Sequence, residues 1–248
     1  RVGVNAGNSI ASGGNYNVAV GDEAGTALTT GDNNTFVGYA AGDATTTAIE
    51  NTAVGASALG ANTTGAANTA LGINSLVANT TAANNTAVGR SSLESNTTGT
   101  ANTAMGKDAL QGNTTADNNT AVGYVALEAN TTGYANTAVG SLSLDANTTG
   151  LGNTAIGKQA LTSNTTASYN TAVGYASGIN VTTGIKNTIV GGLAGDALTT
   201  GSENTALGYF ALSSENTGSK NVAIGKGTLA QLDYDGDNLV YSSFDKKN

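Results

Sequence analysis

The stretch NTAVGASALGANTTGAANTALG (Asn51–Gly72) contains nearly the same five residues twice, and the two copies begin seventeen residues apart. An Asn recurs at this spacing through most of the chain, and a Gly follows each Asn four residues later. A fixed period kept over thirteen units is typical of a stacked repeat, in which every unit has the same structure. The Asn column comprises Asn17, Asn34, Asn51, Asn68, Asn85, Asn102, Asn119, Asn136, Asn153, Asn170, Asn187, Asn204 and Asn221.

The period divides the chain into three segments. We expect an irregular N-terminal coil over 1–16, thirteen repeats over 17–230, and a C-terminal connector or cap over 231–248. Val2 precedes Val20 by eighteen residues, so the first segment is predicted to be one more coil with a single inserted residue. The chain begins at Arg1 without a signal peptide, which we interpret as a fragment or a processed piece of a longer protein.

Composition narrows the class of protein. The chain has no Cys, His, Pro or Trp, which excludes a disulfide scaffold and a thiolate metal site. Its net charge of -8 argues against nucleic acid or an anionic membrane as partner. No apolar run approaches the roughly 18 residues of a membrane span. We therefore expect neither nucleic-acid binding nor membrane insertion.

The repeat predicts an all-β fold. Each unit is rich in Gly, Asn and Thr, which are poor helix formers, and is too short for a two-helix hairpin. A parallel β-solenoid with one coil per unit fits this spacing. Since a coil offers few large aliphatic residues, we also expect several chains to associate.

Alternation along the strand predicts which side chains share a face. The residue after each Asn is Thr in eleven units and Val in two, and the third residue after it is aliphatic or Met. These two positions lie on one face of a strand. Because Thr and Val interchange there, we expect that face to point into the core. The small residues between them, including the column from Ala53 to Ala172, are then expected to be buried between chains.

Two further columns carry structural signals. The invariant Gly is predicted to end the strand, with positive φ or a close approach between coils. The eighth residue after the Asn is Leu in nine units and Gly in four, and in three of those four an aliphatic residue appears three positions later. This replacement indicates a filled interior of fixed volume. In the fourth unit Thr45 takes that place, which the sequence does not explain.

Some units resemble a known family. NVAVG (Asn17–Gly21) and NVAIG (Asn221–Gly225) resemble the head repeats of YadA-like trimeric autotransporter adhesins. NTAVGYVALEANTTG (Asn119–Gly133) is even more similar to arrays found in phage tail fibres and related surface proteins. The resemblance covers about 17–230. It implies a left-handed β-roll, a homotrimer, and an extracellular or virion-associated location, or alternatively the bacterial cell surface.

Several residues are candidates for contact or chemistry. The Asn column is predicted to be structural, with side-chain amides stacked along the axis. Exposed aromatic residues are candidates for contact with a host receptor or glycan, against the simpler interpretation of variable surface decoration. These are Tyr39, Tyr124, Tyr175, Tyr209 and Phe210.

Three other motifs have weaker interpretations. NTT, as at Asn62, fits a glycosylation acceptor, which has little meaning in a phage or bacterial product. Paired threonines such as Thr63 and Thr64 suggest an ice-binding solenoid, but a flat ice face needs two outward ranks two residues apart on one strand. DYDGDN (Asp233–Asn238) resembles the start of a calcium loop, although Phe244 stands where the final Glu belongs. We favour a solvated turn there.

The functional expectation follows from these patterns. Without His, Cys or a visible nucleophile–base pair, the chain is predicted not to be an enzyme and to need no cofactor or metal. We expect a structural and adhesive segment of an extracellular trimeric fibre, most simply a phage tail fibre or spike involved in host attachment. The alternatives are the head of a bacterial trimeric adhesin and, third, an ice-binding solenoid.

Overall fold

The fold is an all-β parallel β-solenoid of about twelve turns with seventeen-residue coils, as predicted. The computed structural model describes residues 2–214, 216–230 and 240–242, and none of these residues lies in a helix. The chain forms two compact units, 1–121 and 122–248, and the same coil is built in both.

Each repeat contributes one three-residue strand that begins immediately after the Asn. The β-branched and aliphatic residues at these positions favour extended backbone. The strands are β1 (Val18–Val20), β2 (Thr35–Val37), β3 (Thr52–Val54), β4 (Thr69–Leu71), β5 (Thr86–Val88), β6 (Thr103–Met105), β7 (Thr120–Val122), β8 (Thr137–Val139), β9 (Thr154–Ile156), β10 (Thr171–Val173), β11 (Thr188–Val190), β12 (Thr205–Leu207), β13 (Val222–Ile224) and β14 (Val240–Ser242).

Neighbouring strands pair in parallel with no slip in register. In the first unit β1 to β6 pair in chain order, and Thr52 lies opposite Thr69 and Val54 opposite Leu71. In the second unit β8 to β14 pair in the same way. Every repeat position therefore forms a column of side chains stacked coil over coil.

The two ends of the described chain have longer coils. Val2 forms a parallel bridge with Val20, which confirms an N-terminal coil with one inserted residue. At the other end Val222 lies opposite Val240, again eighteen residues away. Strand pairing thus continues past residue 230, into the segment predicted as a connector. The calcium-like motif at 233–238 lies outside the described residues.

The prediction about the inward face is wrong. The middle residue of each strand is the buried one, as at Ala53 and Ala87, which have no exposed surface. The aliphatic third residue faces outward, and Val54 and Leu207 are 38% and 46% exposed. The Ala column therefore lies in the chain's own core and not between chains. Thr and Val interchange because both suit a half-exposed strand position.

The narrow interior explains why alanine faces inward. Opposite the strand, the eighth residue of the coil fills the core with one large side chain, and Leu59, Leu93 and Leu127 are fully buried. The backbone at this position has positive φ whichever residue occupies it, 56° at Leu59 and 58° at Gly42. A left-handed leucine costs roughly 1–2 kcal/mol, which its burial, about 1.5–3 kcal/mol, offsets.

Phe36 explains the coil that the sequence left unexplained. It is the middle residue of β2, it is fully buried, and it replaces the usual alanine. A Cβ built on Gly42 would lie 2.6 Å from the Phe36 ring, and one on Gly25 would lie 2.8 Å from it. The ring therefore occupies the space that leucines at both glycine positions would fill. Ile189 stands in the same relation to Gly178, whose Cβ would lie 2.9 Å from its Cδ1.

The invariant glycine column shows both predicted properties. Gly72, for example, has φ of +137°. A Cβ on Gly72 would lie 2.5 Å from the backbone oxygen of Gly89 in the next coil. No side chain fits between coils at this corner, so the column tolerates glycine alone.

Replacing Thr45 is predicted to stabilise the fold. Its side chain is fully buried, and its hydroxyl oxygen has no hydrogen-bond partner. Thr45→Val removes this unsatisfied group at nearly constant shape, so the free energy of unfolding is expected to rise by about 1 kcal/mol. Chemical denaturation measures the change.

The neighbouring residue is the matched control. The Thr46 hydroxyl donates a hydrogen bond of 3.2 Å to the Thr63 carbonyl oxygen. Thr46→Val removes this bond and should lower stability by about 0.5–1.5 kcal/mol. Equal effects of the two substitutions would contradict the assignment of Thr45 as an unsatisfied core residue.

Candidate functional site

The Asn column forms a continuous ladder inside each unit, as predicted. Asn51 donates its backbone N–H to the side-chain oxygen of Asn34 at 3.0 Å. The Asn51 side-chain amide donates to the Gly65 carbonyl oxygen at 2.9 Å. Each amide thus links two coils and also ties the start of its own strand to the turn that closes the coil. The column is buried from Asn34 onward, and Asn17 is half-buried.

A second buried ladder was not predicted as structural. Asn79 donates from its side-chain amide to the Asn62 side-chain oxygen at 3.0 Å and to the Ala82 carbonyl oxygen at 3.1 Å. These are the asparagines of the NTT motifs, whose amides are enclosed and hydrogen-bonded, so they are not reachable for glycosylation. The sequence contained a sign that the Asn of NTT lies in the core. This Asn is absent from the four repeats in which the eighth residue is Gly instead of Leu.

The outward side of the strands forms a regular surface in each unit. We call it the strand face: in each unit it consists of the first and third residues of every three-residue strand. The first rank is Thr or Val and the third is Val, Leu, Ile or Met, with no charged residue at either position in the thirteen repeats. Met105, Leu207 and Ile224 are 44%, 46% and 42% exposed. In-register pairing makes the two ranks continuous, since each residue lies opposite its equivalent in the next strand.

The paired threonines do not form a second such face. The Thr63 hydroxyl donates to the Thr80 carbonyl oxygen at 3.1 Å and is half-buried, whereas Thr64 is exposed. The two neighbours therefore point to different sides, as predicted, and one of them serves the backbone of the next coil.

The four tyrosine candidates are exposed, occupy the fifth position of their repeats, and are spread over both units. Tyr39 lies in the first unit, and Tyr124, Tyr175 and Tyr209 lie in the second; all four are exposed. Phe210 is half-buried and contacts Tyr209 edge to face, with ring centroids 4.6 Å apart. Lys226 was not predicted as a site residue, and its ammonium nitrogen lies 6.0 Å from the centre of the Tyr209 ring. Such a contact depends on side-chain conformation, which the repeat pattern does not encode.

Carboxylates at the ninth position of the repeat lie partly inside the surface. Burial raises the pKa of Asp145, against the backbone N–H groups of Ala146 and Asp145, which lower it; nearby Glu128 raises it further. One Asp145 carboxylate oxygen is enclosed without a hydrogen-bond partner. The pKa of Asp43 is raised for the same main reason. The ninth-position column is therefore only partly solvated.

Among the described residues, no group of three or more acidic side chains is arranged to hold a metal ion. The same part of the chain contains no helix of the length and hydropathy needed to span a membrane. Comparisons with protein-family models, with curated proteins and with solved structures give no match to this chain. The strand face and its neighbouring columns are therefore the features that bear on function.

The Asn ladder predicts a large loss of stability when one member is removed. Asn85→Ala leaves the Gly99 carbonyl and the Asn102 backbone N–H without their present partners, which lie at 2.9 Å each. Each orphaned buried group costs about 1–3 kcal/mol, so we expect a loss of at least about 2 kcal/mol in the free energy of unfolding. The adjacent Asn84, exposed and with φ of 62°, provides the control Asn84→Gly, which should change stability little. A small effect of both would show that the ladder is dispensable.

Asp145 predicts how stability depends on pH. Because its folded-state pKa is raised, the folded chain holds this proton to higher pH than the unfolded chain does. Stability therefore falls as pH rises from the ordinary carboxyl pKa through the raised value, and the charged group destabilises the fold at neutral pH. Asp145→Asn should raise the melting temperature at pH 7 and have less effect near pH 3. Glu203→Gln, on an exposed column, is the control; a pH-independent effect of Asp145→Asn would contradict this assignment.

Proposed function

We propose that the chain is a non-enzymatic structural and adhesive segment of an extracellular trimeric fibre, such as a phage tail fibre or spike involved in host attachment. The strand face carries this proposal. In a single chain it leaves a rank of aliphatic side chains partly exposed to water, and extended apolar surface of this kind is typical of an interface between protein chains.

A second copy of the chain is the partner that fits this face. Its ranks repeat at the same strand spacing, about 4.8 Å, so a contact made in one coil can be made again in each coil that follows. The face carries no charge whose burial would have to be compensated. Closed cyclic symmetry brings identical levels of the chains together around one axis. The resemblance to trimeric surface proteins supports three copies.

In this proposal the segment extends the fibre and displays side chains on its surface. Ladders of buried amides and backbone hydrogen bonds hold the repeat columns in register, while exposed columns at the fifth and sixteenth positions vary freely from coil to coil. Such an element presents side chains at fixed intervals without any reaction taking place on it. The head of a bacterial trimeric adhesin is the alternative use of the same structure. A membrane anchor in the full-length gene would favour that alternative, and a tail-attachment or chaperone domain would favour the phage fibre.

Ice binding is a second candidate because the structure turns two ranks outward on one strand. The Thr rank and the aliphatic rank lie two residues apart, roughly 6.7 Å along the strand, and repeat about every 4.8 Å across it. Ranks of hydroxyl and methyl groups at regular spacing can match the regular spacing of an ice surface. This use requires a strand face that stays free in solution, so it competes directly with assembly.

Val88→Asp tests the proposal. Val88 lies on the strand face between Leu71 and Met105, and a carboxylate there would be desolvated on assembly. We expect sedimentation velocity to show a trimer for the unsubstituted chain and a shift toward monomer, by at least tenfold in the dissociation constant, for Val88→Asp. Circular dichroism should show retained β-structure, since the side chain is partly exposed.

Arg90→Ser, on the neighbouring exposed column, is the matched control and should stay trimeric. A monomeric unsubstituted chain would overturn the trimer, and thermal hysteresis of that monomer would favour ice binding instead. A trimer that is indifferent to Val88→Asp would place the contact on another surface.

A further inference from the structure

The second unit carries a strip of aromatic and basic side chains beside the strand face. We call it the column-five strip: Lys158, Tyr175, Gly192, Tyr209 and Lys226, which follow one another at intervals of seventeen residues. Each lies two residues after the end of a strand, and those strands, β9 to β13, pair in register. The five residues are therefore stacked one above another, and all the side chains in the strip are exposed.

Backbone hydrogen bonds fix the spacing of the strip. The residue after each strip member donates its N–H to the carbonyl oxygen of the strip member one coil earlier. Leu193 donates to Tyr175 at 2.8 Å, and Phe210 donates to Gly192 at 3.2 Å. The positions of the two Tyr residues are thus set by the solenoid and not by a flexible loop, which lowers the entropy cost of binding.

Tyr209 is held in a defined orientation. Phe210 contacts its ring edge to face, and Lys226 approaches the ring from the following coil. A Cβ on Gly192 would lie 3.4 Å from the Tyr209 ring, so the ring rests against the backbone that separates it from Tyr175. An exposed aromatic ring fixed in this way offers a surface for stacking.

The charge of the strip is opposite to that of the protein. The chain has a net charge of -8, yet from Lys158 to Lys226 neither the strip nor the adjacent sixth-position column contains an acidic residue. A cation stands at each end, and the two tyrosines lie between. The strip therefore attracts negative ligands although the chain as a whole is acidic.

The distances between the side chains of the strip match those along an extended sugar chain. Tyr175 and Tyr209 are two coils apart, roughly 10 Å, close to the length of two pyranose rings in an extended polysaccharide. Lys158 and Lys226 are four coils apart, roughly 19 Å. This suits a polymer with sparse carboxylates better than nucleic acid, whose phosphates follow every nucleotide. We propose that the column-five strip binds an extended acidic polysaccharide along the stack of coils. The proposal rests on the adhesive role given above and adds the class of its receptor.

Isothermal titration calorimetry on the full chain tests this site. The probe is a hyaluronan octasaccharide, in which uronic acids alternate with neutral sugars, and the reference is its methyl ester, which has the same rings without charge. We expect the acid to bind and the ester to bind more weakly. Tyr175→Ala combined with Tyr209→Ala should weaken binding about tenfold or more, while the two Tyr→Phe substitutions should preserve it.

Controls separate this inference from the trimeric fibre. Tyr134→Ala, which removes an exposed ring from a different column of the same unit, should leave binding unchanged. Sedimentation of every variant should show the same assembly state as the unsubstituted chain. No binding by an intact trimer, binding insensitive to the two Tyr→Ala changes, or equal binding of oligothymidylate would overturn the polysaccharide site and leave the fibre standing. A monomeric chain that still binds the octasaccharide would support the site and reject the trimer.

Discussion

The interior of each coil has room for only one or two large side chains, and most other features of the structure follow from this limit. In most coils a leucine at the eighth position fills the room, so the strand opposite can turn only an alanine inward. Where Phe36 or Ile189 takes the inward strand position, glycine replaces leucine in the coils that surround it. The core is thus conserved in volume and not in residue identity, as expected of a close-packed interior.

This limit also determines what the surface offers. Because the inward position is alanine in most strands, the two larger residues of those strands face outward, and the aliphatic ranks lie on the outside. Asn side chains occupy the remaining interior space. The amides of the two Asn ladders hydrogen-bond to backbone carbonyl oxygens. In a wider coil, water or longer strands would satisfy these backbone groups. A narrow coil therefore combines buried asparagines beside its apolar core with an apolar rank on its surface.

Much of this could be predicted from the sequence because the period is strict. The strand positions, the glycine corner and the structural role of the first Asn column all followed from residues that never vary between units. The inward face did not follow, since alternation tells which residues share a face but not which way that face points. The deciding signal was present in the pairing of Phe36 with Gly25 and Gly42, which makes sense only if the middle strand position lies in the core. The contact between Tyr209 and Phe210 had no such signal, because it occurs once.

The glycine corner has a consequence for how such a chain changes length. At Gly72 the backbone of one coil lies against the backbone of the next, so the join is identical wherever a seventeen-residue segment is copied or lost. Each hydrogen-bond donor of the copied coil then faces an acceptor at the same repeat position as before. In-frame duplication can therefore lengthen the molecule in whole coils at little cost, whereas a shorter insertion would displace each ladder that crosses it. Gene rearrangement at this period therefore changes the number of coils and leaves the structure of each coil as it was.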